Sequence, residues 1–119
     1  MKRKQLGNLG EKLAKGFLKK NGYRIRETNF KCREGEIDIV AEQGDYLVFV
    51  EVRTKSSSEF GTPEESITLF KKGKLITSAL TYISNHQGLP SQWRIDLVAI
   101  EIDHESKIKR IELIQNAVS

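Results

Sequence analysis

Residues 35–55 read Gly35-Glu36-Ile37-Asp38-Ile39-Val40-Ala41-Glu42-Gln43, then Gly44-Asp45, then Tyr46-Leu47-Val48-Phe49-Val50-Glu51-Val52-Arg53-Thr54-Lys55. Both flanks are rich in β-branched and aromatic residues, which is typical of strands. Glycine at the first central position of Gly44-Asp45 suits a two-residue type II′ turn. The stretch therefore predicts a β-hairpin.

The turn sets the register of this hairpin and brings two acids together. If Gly44-Asp45 is the loop, Gln43 faces Tyr46, and counting outward places Asp38 opposite Glu51. Directly opposed side chains have Cβ atoms about 4.5–5.5 Å apart, and like charges there are destabilising unless something neutralises them. A shared proton would do so. So would a divalent cation such as Mg²⁺, which prefers carboxylate ligands.

The two faces of the hairpin differ in polarity. One face is wholly apolar and is expected to pack on the core: Ile37, Ile39, Ala41, Val48, Val50 and Val52. The other face displays the pair of acids together with Glu36 opposite Arg53. These four charged residues also fit a surface salt-bridge quartet, so geometry alone leaves the metal and the quartet open.

Six further elements are predicted around the hairpin. Apolar residues at helical spacing and an Asn-Gly stop predict the first helix, and Thr62-Pro63-Glu64-Glu65 reads as the capping box of the second. The elements are a helix from about Leu6 to Asn21, a strand over Tyr23–Phe30, a loop over Ser56–Gly61, a helix from Thr62 to about Asn85, and strands over Trp93–Ile102 and Ile108–Ile114. The order αβββαββ indicates a single α/β domain over residues 1–119, with a mixed central sheet flanked by helices.

Composition restricts the class of protein. A chain of 119 residues that is 38% hydrophobic and 30% charged is typical of one ordinary globular domain. Cys32 is the one cysteine, so an internal disulfide is excluded and a reducing, cytoplasmic location is expected. No window approaches the roughly 20 apolar residues of a membrane span, and no signal peptide is apparent.

Positive charge is concentrated in the first third of the chain. Residues 1–33 contain 11 Lys or Arg and 2 acids, although the whole chain carries only +4. Such a segment suits a phosphate backbone, because Lys and Arg displace condensed counterions from it. A solvated helix face with a frayed tail explains the same pattern.

Several motifs, taken in order, resemble one family. They are Gly7-Asn8-Leu9-Gly10-Glu11, the hairpin segments Gly35–Val40 and Phe49–Arg53, Phe60-Gly61-Thr62-Pro63, and Arg94-Ile95-Asp96-Leu97-Val98. The hairpin resembles the D…E-x-K core of the PD-(D/E)xK nuclease superfamily. The series as a whole resembles the YraN-like family of predicted endonucleases, which is similar to archaeal Holliday-junction resolvases.

The resemblance implies a restriction-endonuclease-like fold with Glu11, Asp38 and Glu51 as metal-site acids. It also implies Mg²⁺ or Mn²⁺ as cofactor, DNA as partner, with branched or otherwise structured DNA as the substrate, and a homodimer. The pattern of the first helix alone predicts instead that Glu11 faces solvent and pairs with Lys15 at i+4.

One position departs from the superfamily pattern. Arg53 stands where lysine is usual, and arginine stays protonated, so it cannot act as a general base. It can still position the nucleophile or clamp a phosphate. Lys55, on the same face, is a candidate substitute for the lysine.

The mechanism predicted from these residues is phosphodiester hydrolysis at Asp38, Glu51, the Val52 carbonyl and Glu11. Expected contacts to the DNA backbone come from Lys12, Lys15, Lys19, Arg24, Arg26, Arg33 and Lys55. Two rivals belong to other classes: a non-catalytic DNA-binding module with a structural acidic cluster, and a protein-interaction domain.

Overall fold

The computed structural model describes residues 2–57 and 60–118. The elements are α1 (Arg3–Lys20), β1 (Arg24–Cys32), β2 (Gly35–Gln43), β3 (Tyr46–Ser56), a one-turn 3-10 helix (Glu64–Ser66), α2 (Leu69–Ser84), β4 (Gln92–Ile102) and β5 (Ile108–Val118). Apart from the 3-10 turn, this is the predicted order. The predicted loop over Ser56–Gly61 includes Ser58 and Glu59, which lie outside the described residues.

The five strands form one mixed sheet in the order β1-β2-β3-β4-β5. Neighbouring strands are antiparallel except for the central pair, β3 and β4, which run parallel and are connected through α2. A parallel pair requires such a crossover, because a tight turn cannot return the chain in the same direction. The predicted mixed α/β architecture with flanking helices is confirmed. In the part of the chain that the structure describes, neither helix is long and apolar enough to cross a membrane.

The hairpin register follows the turn as predicted. Gln43 pairs with Tyr46, and the same register continues to Ile39 opposite Val50. Gly44 has a φ of +59°, the left-handed value that a type II′ turn needs at its first central position. The turn therefore fixes the alignment of β2 and β3 as far as Ile39 and Val50, which are the neighbours of the two acids.

The predicted apolar face of the hairpin packs on the core except for Ile37, but the opposite face is not simply polar, because both faces of the sheet are covered. One apolar cluster lies under α1 and includes Ile39 and Ala41, whereas a second lies under α2 and includes Val40 and Phe49. A sheet buried on both faces reads as a continuous apolar run and not as a strict alternation. Ile37 belongs to the α2 cluster although Ile39 belongs to the α1 cluster, so the alternation of side chains is interrupted at Asp38.

The predicted second helix is divided in two. The capping-box hydrogen bonds form, with Thr62 N donating to Glu65 Oε1 at 2.7 Å and Glu65 N donating to Thr62 Oγ1 at 3.3 Å. They support only a 3-10 turn, because Ile67 is extended (ψ 110°) and Thr68 caps a new helix by accepting from Lys71 N at 3.1 Å. The break places Lys71 in the first turn of α2.

Helix α1 approaches β3 closely through a glycine. Its fully buried residues are Gly10, Ala14 and Leu18, so small side chains form the centre of the contact. A Cβ built on Gly10 would lie 1.9 Å from Thr54 Oγ1, closer than real atoms approach. This close packing holds the neighbouring Glu11 against the sheet.

Gly10→Ala is therefore expected to lower the free energy of unfolding by about 1–3 kcal/mol, as overpacking does in tight interiors. Gly16→Ala is the matched control, since a Cβ there meets nothing within 4 Å. The control should be about 0.5–1 kcal/mol more stable than wild type, because alanine is the better helix former. Urea denaturation measures both changes. Equal stability of the two variants would contradict the close-contact explanation.

Candidate functional site

The two predicted acids of the hairpin lie side by side where β2 and β3 separate. Among the described residues, the backbone pairing of these strands ends at Ile39 and Val50. Just beyond it, Asp38 Oδ2 accepts a hydrogen bond from Val52 N at 2.8 Å, so a side chain occupies the backbone-pairing position. Asp38 and Glu51 are also joined by a side-chain hydrogen bond. The acids therefore share one small volume at the end of the paired hairpin.

This arrangement raises the pKa of Glu51 to about 8. Burial is the main cause, because the side chain is only 5% exposed, and the negative charge of Asp38 is the second. The cations Arg53 and Lys71 lower the pKa without cancelling the rise. Because the folded-state pKa exceeds the ordinary value of 4.5, the protonated carboxyl stabilises the fold below pH 4.5, and this contribution is lost as the pH rises through about 8.

Two further acids, Glu11 of α1 and Glu36 of β2, lie near Asp38. With its amide nitrogen turned toward them, Asn29 donates to Glu11 Oε1 at 3.1 Å and to Glu36 Oε1 at 3.2 Å. Burial raises the pKa of Glu11, and the charges of Asp38 and Glu36 raise it further. Glu11 is thus half-buried beside Asp38 and not solvent-facing, although Lys15 is near enough to lower its pKa, as the helical spacing predicted.

Two cations contact the buried acid. Arg53 Nη2 lies 2.9 Å from Glu51 Oε2, and Lys71 Nζ, from the first turn of α2, lies 3.6 Å from the same oxygen. Arg53 Nε is buried and has no hydrogen-bond partner among the described residues. Lys55, the candidate substitute for the superfamily lysine, instead donates to the Phe60 carbonyl at 2.9 Å.

A cleft of about 400 Å³ opens at the acids. Its wall joins the start of α1, the end of β3 and the 3-10 turn, and it exposes both acidic and basic groups to solvent. The lining residues are Arg3, Leu6, Gly7, Glu11, Asp38, Val52, Arg53, Thr54, Lys55 and Ser66. Three of the four predicted catalytic residues line this cleft, and Glu51 is buried beside it.

The predicted DNA-contacting residues are distributed unevenly around the site. Lys12, Lys19 and Arg33 are exposed, and Lys15 is near enough to Glu11 to lower its pKa. Arg24 and Arg26 both pair with Glu42, at 2.8 and 2.6 Å, at the opposite end of β2 from Gly35. Only Lys55 of this group lines the acidic cleft.

The donor set suits a hard divalent cation. Asp38 and Glu51 offer carboxylate oxygens that repel each other when both are ionised, and such ions prefer oxygen ligands. Among the described residues, no three His, Cys, Asp or Glu side chains converge as a ready metal-holding group. The fit therefore rests on the pair, with water and a substrate phosphate supplying the other ligands, as Mg²⁺ commonly requires.

Sequence reasoning missed two residues of the site. Asn29 reaches the acids from β1, where its φ of +54° marks a left-handed position that asparagine tolerates. Lys71 reaches Glu51 from α2 across 20 residues of sequence. The only local signal for Lys71 was Thr68, a second capping residue inside the predicted helix.

Fold and site together define a small mixed α/β protein with an acidic cleft where two central strands of its sheet diverge. The chain belongs to the uncharacterised protein family UPF0102, whose family model matches residues 10–100.

Similar proteins occur in several bacteria and cover nearly the full chain. A UPF0102 protein of Dehalococcoides mccartyi is 47% identical over 116 residues, which cover 98% of this chain and 94% of that protein. One from Caldicellulosiruptor saccharolyticus is 40% identical, covering 98% and 99%, and one from Moorella thermoacetica is 42% identical, covering 98% of both. Membership of the YraN-like family is thereby supported, whereas the link to the nuclease superfamily stays a prediction.

Proposed function

We propose that this protein is a metal-dependent endonuclease that hydrolyses phosphodiester bonds in DNA, with branched or otherwise structured DNA as substrate. The proposal includes a restriction-endonuclease-like classification of its fold. The observation that carries it is the pairing of Asp38, which lines the cleft, with the buried Glu51, whose pKa is raised to about 8. Strongly perturbed acids that border a cleft are typical of functional sites.

Mg²⁺ or Mn²⁺ would be held by Asp38 and Glu51, with Glu11 completing the site directly or through water. The Val52 carbonyl is a further candidate ligand, since Asp38 holds the N–H of the same residue. When bound, the cation lowers the pKa of a bound water and neutralises charge on the scissile phosphate. The fold keeps the carboxylate oxygens of Asp38 and Glu51 close together in a half-buried site.

Arg53 and Lys71 both contact Glu51 and supply the positive charge of the site. Arg53 cannot take a proton from water, so its role is to hold a phosphate oxygen by charge and hydrogen bonding. Lys71 takes the lysine role that Lys55 does not fill, because its Nζ lies 3.6 Å from Glu51 Oε2. Both side chains orient the carboxylate and attract the DNA backbone.

A cleavage assay tests this function. Purified protein is incubated with a four-way junction, a flapped duplex, a single strand and a blunt duplex of matched length, in Mg²⁺, Mn²⁺ or EDTA. We expect cleavage of at least one branched or flapped DNA in Mg²⁺ or Mn²⁺ and none in EDTA. Glu51→Gln, purified identically, controls for contaminating nucleases and should be inactive.

Two outcomes would overturn the proposal in favour of its rivals. Salt-dependent DNA binding that persists in EDTA, without cleavage of any of the four DNAs, identifies a non-catalytic binding module. Absence of any salt-dependent DNA binding points to a protein-interaction domain, because phosphate contacts must weaken as salt rises.

A further inference from the structure

The most exposed large apolar side chains of the described residues lie close in sequence, or through a hydrogen bond, to residues of the acidic site. Phe60 is 97% exposed, Leu69 is 86% exposed and Phe70 is 74% exposed, and all three fall within eleven consecutive positions. Phe70 directly precedes Lys71, which contacts Glu51. The carbonyl of Phe60 is held by Lys55, which lines the cleft. Phe70 is therefore adjacent in sequence to Lys71 of the site, and Phe60 is connected to the site through Lys55.

Lysines alternate with these apolar residues. The start of α2 reads Leu69-Phe70-Lys71-Lys72-Gly73-Lys74, and the helix contains no acid. Lys74 Nζ lies 5.2 Å from the centroid of the Phe70 ring and donates to the Glu34 carbonyl at 3.2 Å. These residues offer exposed apolar side chains and positive charge within a short stretch of chain, and they are called here the α2 rim: Phe60, Leu69, Phe70, Lys71, Lys72 and Lys74.

This combination discriminates between classes of partner. Protein interfaces are depleted of lysine at their centres, which disfavours a protein partner on a surface with three lysines. Duplex DNA hides the faces of its bases, so exposed rings gain nothing from it. Unpaired nucleotides expose both a base face for stacking and a phosphate for lysine, and sites that bind single strands combine these two features.

We propose that the α2 rim binds unpaired DNA nucleotides next to the scissile phosphate, so that the preferred substrate carries a single-stranded segment. This inference rests on the proposed function for the position of the scissile phosphate. The bases stack on Phe70 and Phe60, Leu69 adds apolar contact, and Lys72 and Lys74 neutralise the backbone. Lys71, between the rim and the acids, aligns the strand with the site.

The test is binding in EDTA, which is independent of catalysis. Fluorescence anisotropy compares a duplex bearing a single-stranded tail with a blunt duplex of equal length. We expect at least about fivefold tighter binding to the tailed DNA, since stacking contributes about 1–3 kcal/mol per base. Phe60→Ala/Phe70→Ala should lose this preference while binding the blunt duplex within about twofold of wild type. Phe70→Trp should keep it.

Leu80→Ala is the matched control, because Leu80 is an exposed apolar residue of α2 outside the rim. It should bind both DNAs like wild type. Equal binding of tailed and blunt DNA by wild type would overturn the inference. So would self-association of wild type that the double phenylalanine variant abolishes in sedimentation, since the rim would then join two copies of the chain.

The cleavage assay separates this inference from the function on which it rests. If blunt and tailed DNA are bound equally and are cleaved at equal rates in a metal-dependent way, the proposed role of the α2 rim is refuted and the proposed nuclease activity is retained. A tail preference that depends on the phenylalanines, without cleavage in any metal, refutes the nuclease and retains the rim as a single-strand binding surface.

Discussion

Replacing Asp38 by asparagine is expected to lower Mg²⁺-dependent DNA cleavage by at least about 1000-fold, equivalent to about 4 kcal/mol of transition-state stabilisation. The side chain combines two roles. One oxygen accepts from Val52 N at 2.8 Å, and the carboxylate lies against Glu51. Asparagine keeps an oxygen that can accept from Val52 but removes the charge that a divalent cation requires.

Stability separates loss of chemistry from loss of fold in this variant. Asp38→Asn removes one of two like charges, so the metal-free protein should be at least as stable as wild type at pH 8 by urea denaturation. The control is Asp45→Asn, since Asp45 is an exposed acid in the tight turn of the same hairpin. It should cleave at the wild-type rate. Cleavage by Asp38→Asn at an unchanged rate would remove these acids from any catalytic role.

Replacing Asp96 by alanine is expected to lower the free energy of unfolding by about 3–5 kcal/mol. Asp96 lies on β4 and is fully buried, and it accepts from Tyr23 Oη at 2.8 Å, Arg94 Nε at 3.0 Å and Asn116 N at 2.9 Å. Alanine would leave a nearly buried guanidinium and two other donors without their acceptor. Since small domains have only about 5–15 kcal/mol of stability, the variant should unfold near ambient temperature or be marginally folded.

Asp103→Ala is the comparison for this change. Asp103 accepts from two backbone donors, Glu105 N at 2.8 Å and Lys107 N at 3.0 Å, but in an exposed turn. Water replaces a lost partner there, so the loss of stability should be much smaller than for Asp96. Urea denaturation followed by circular dichroism measures both variants. Similar small losses for the two would show that the Asp96 network does not hold β4 to Tyr23 and β5.

The hairpin could be predicted because its determinants are local. Gly44 sets the turn, the turn sets the register, and the register brings Asp38 near Glu51 without knowledge of any other element. The sequence singled out Asp96 as part of the motif Arg94–Val98, and in the fold it accepts hydrogen bonds from Tyr23, Arg94 and Asn116.

The remaining parts of the site depend on contacts that no local pattern encodes. Lys71 was assigned to the interior of one long helix, and only the extended residue Ile67 moves it to the first turn of α2 beside Glu51. Asn29 was treated as an ordinary strand residue, whereas its left-handed backbone lets it bridge two acids. Ile37 was placed on the wrong face, because a period of two fails where the strand is irregular.

Anomalous scattering from a crystal grown with Mn²⁺ would show whether Asp38 and Glu51 share a divalent cation. We expect an anomalous peak within coordination distance of both carboxylates, and no peak at this place in Asp38→Asn grown under the same conditions. A wild-type crystal at saturating Mn²⁺ in which the two acids remain hydrogen-bonded to each other, with no peak between them, would contradict this expectation.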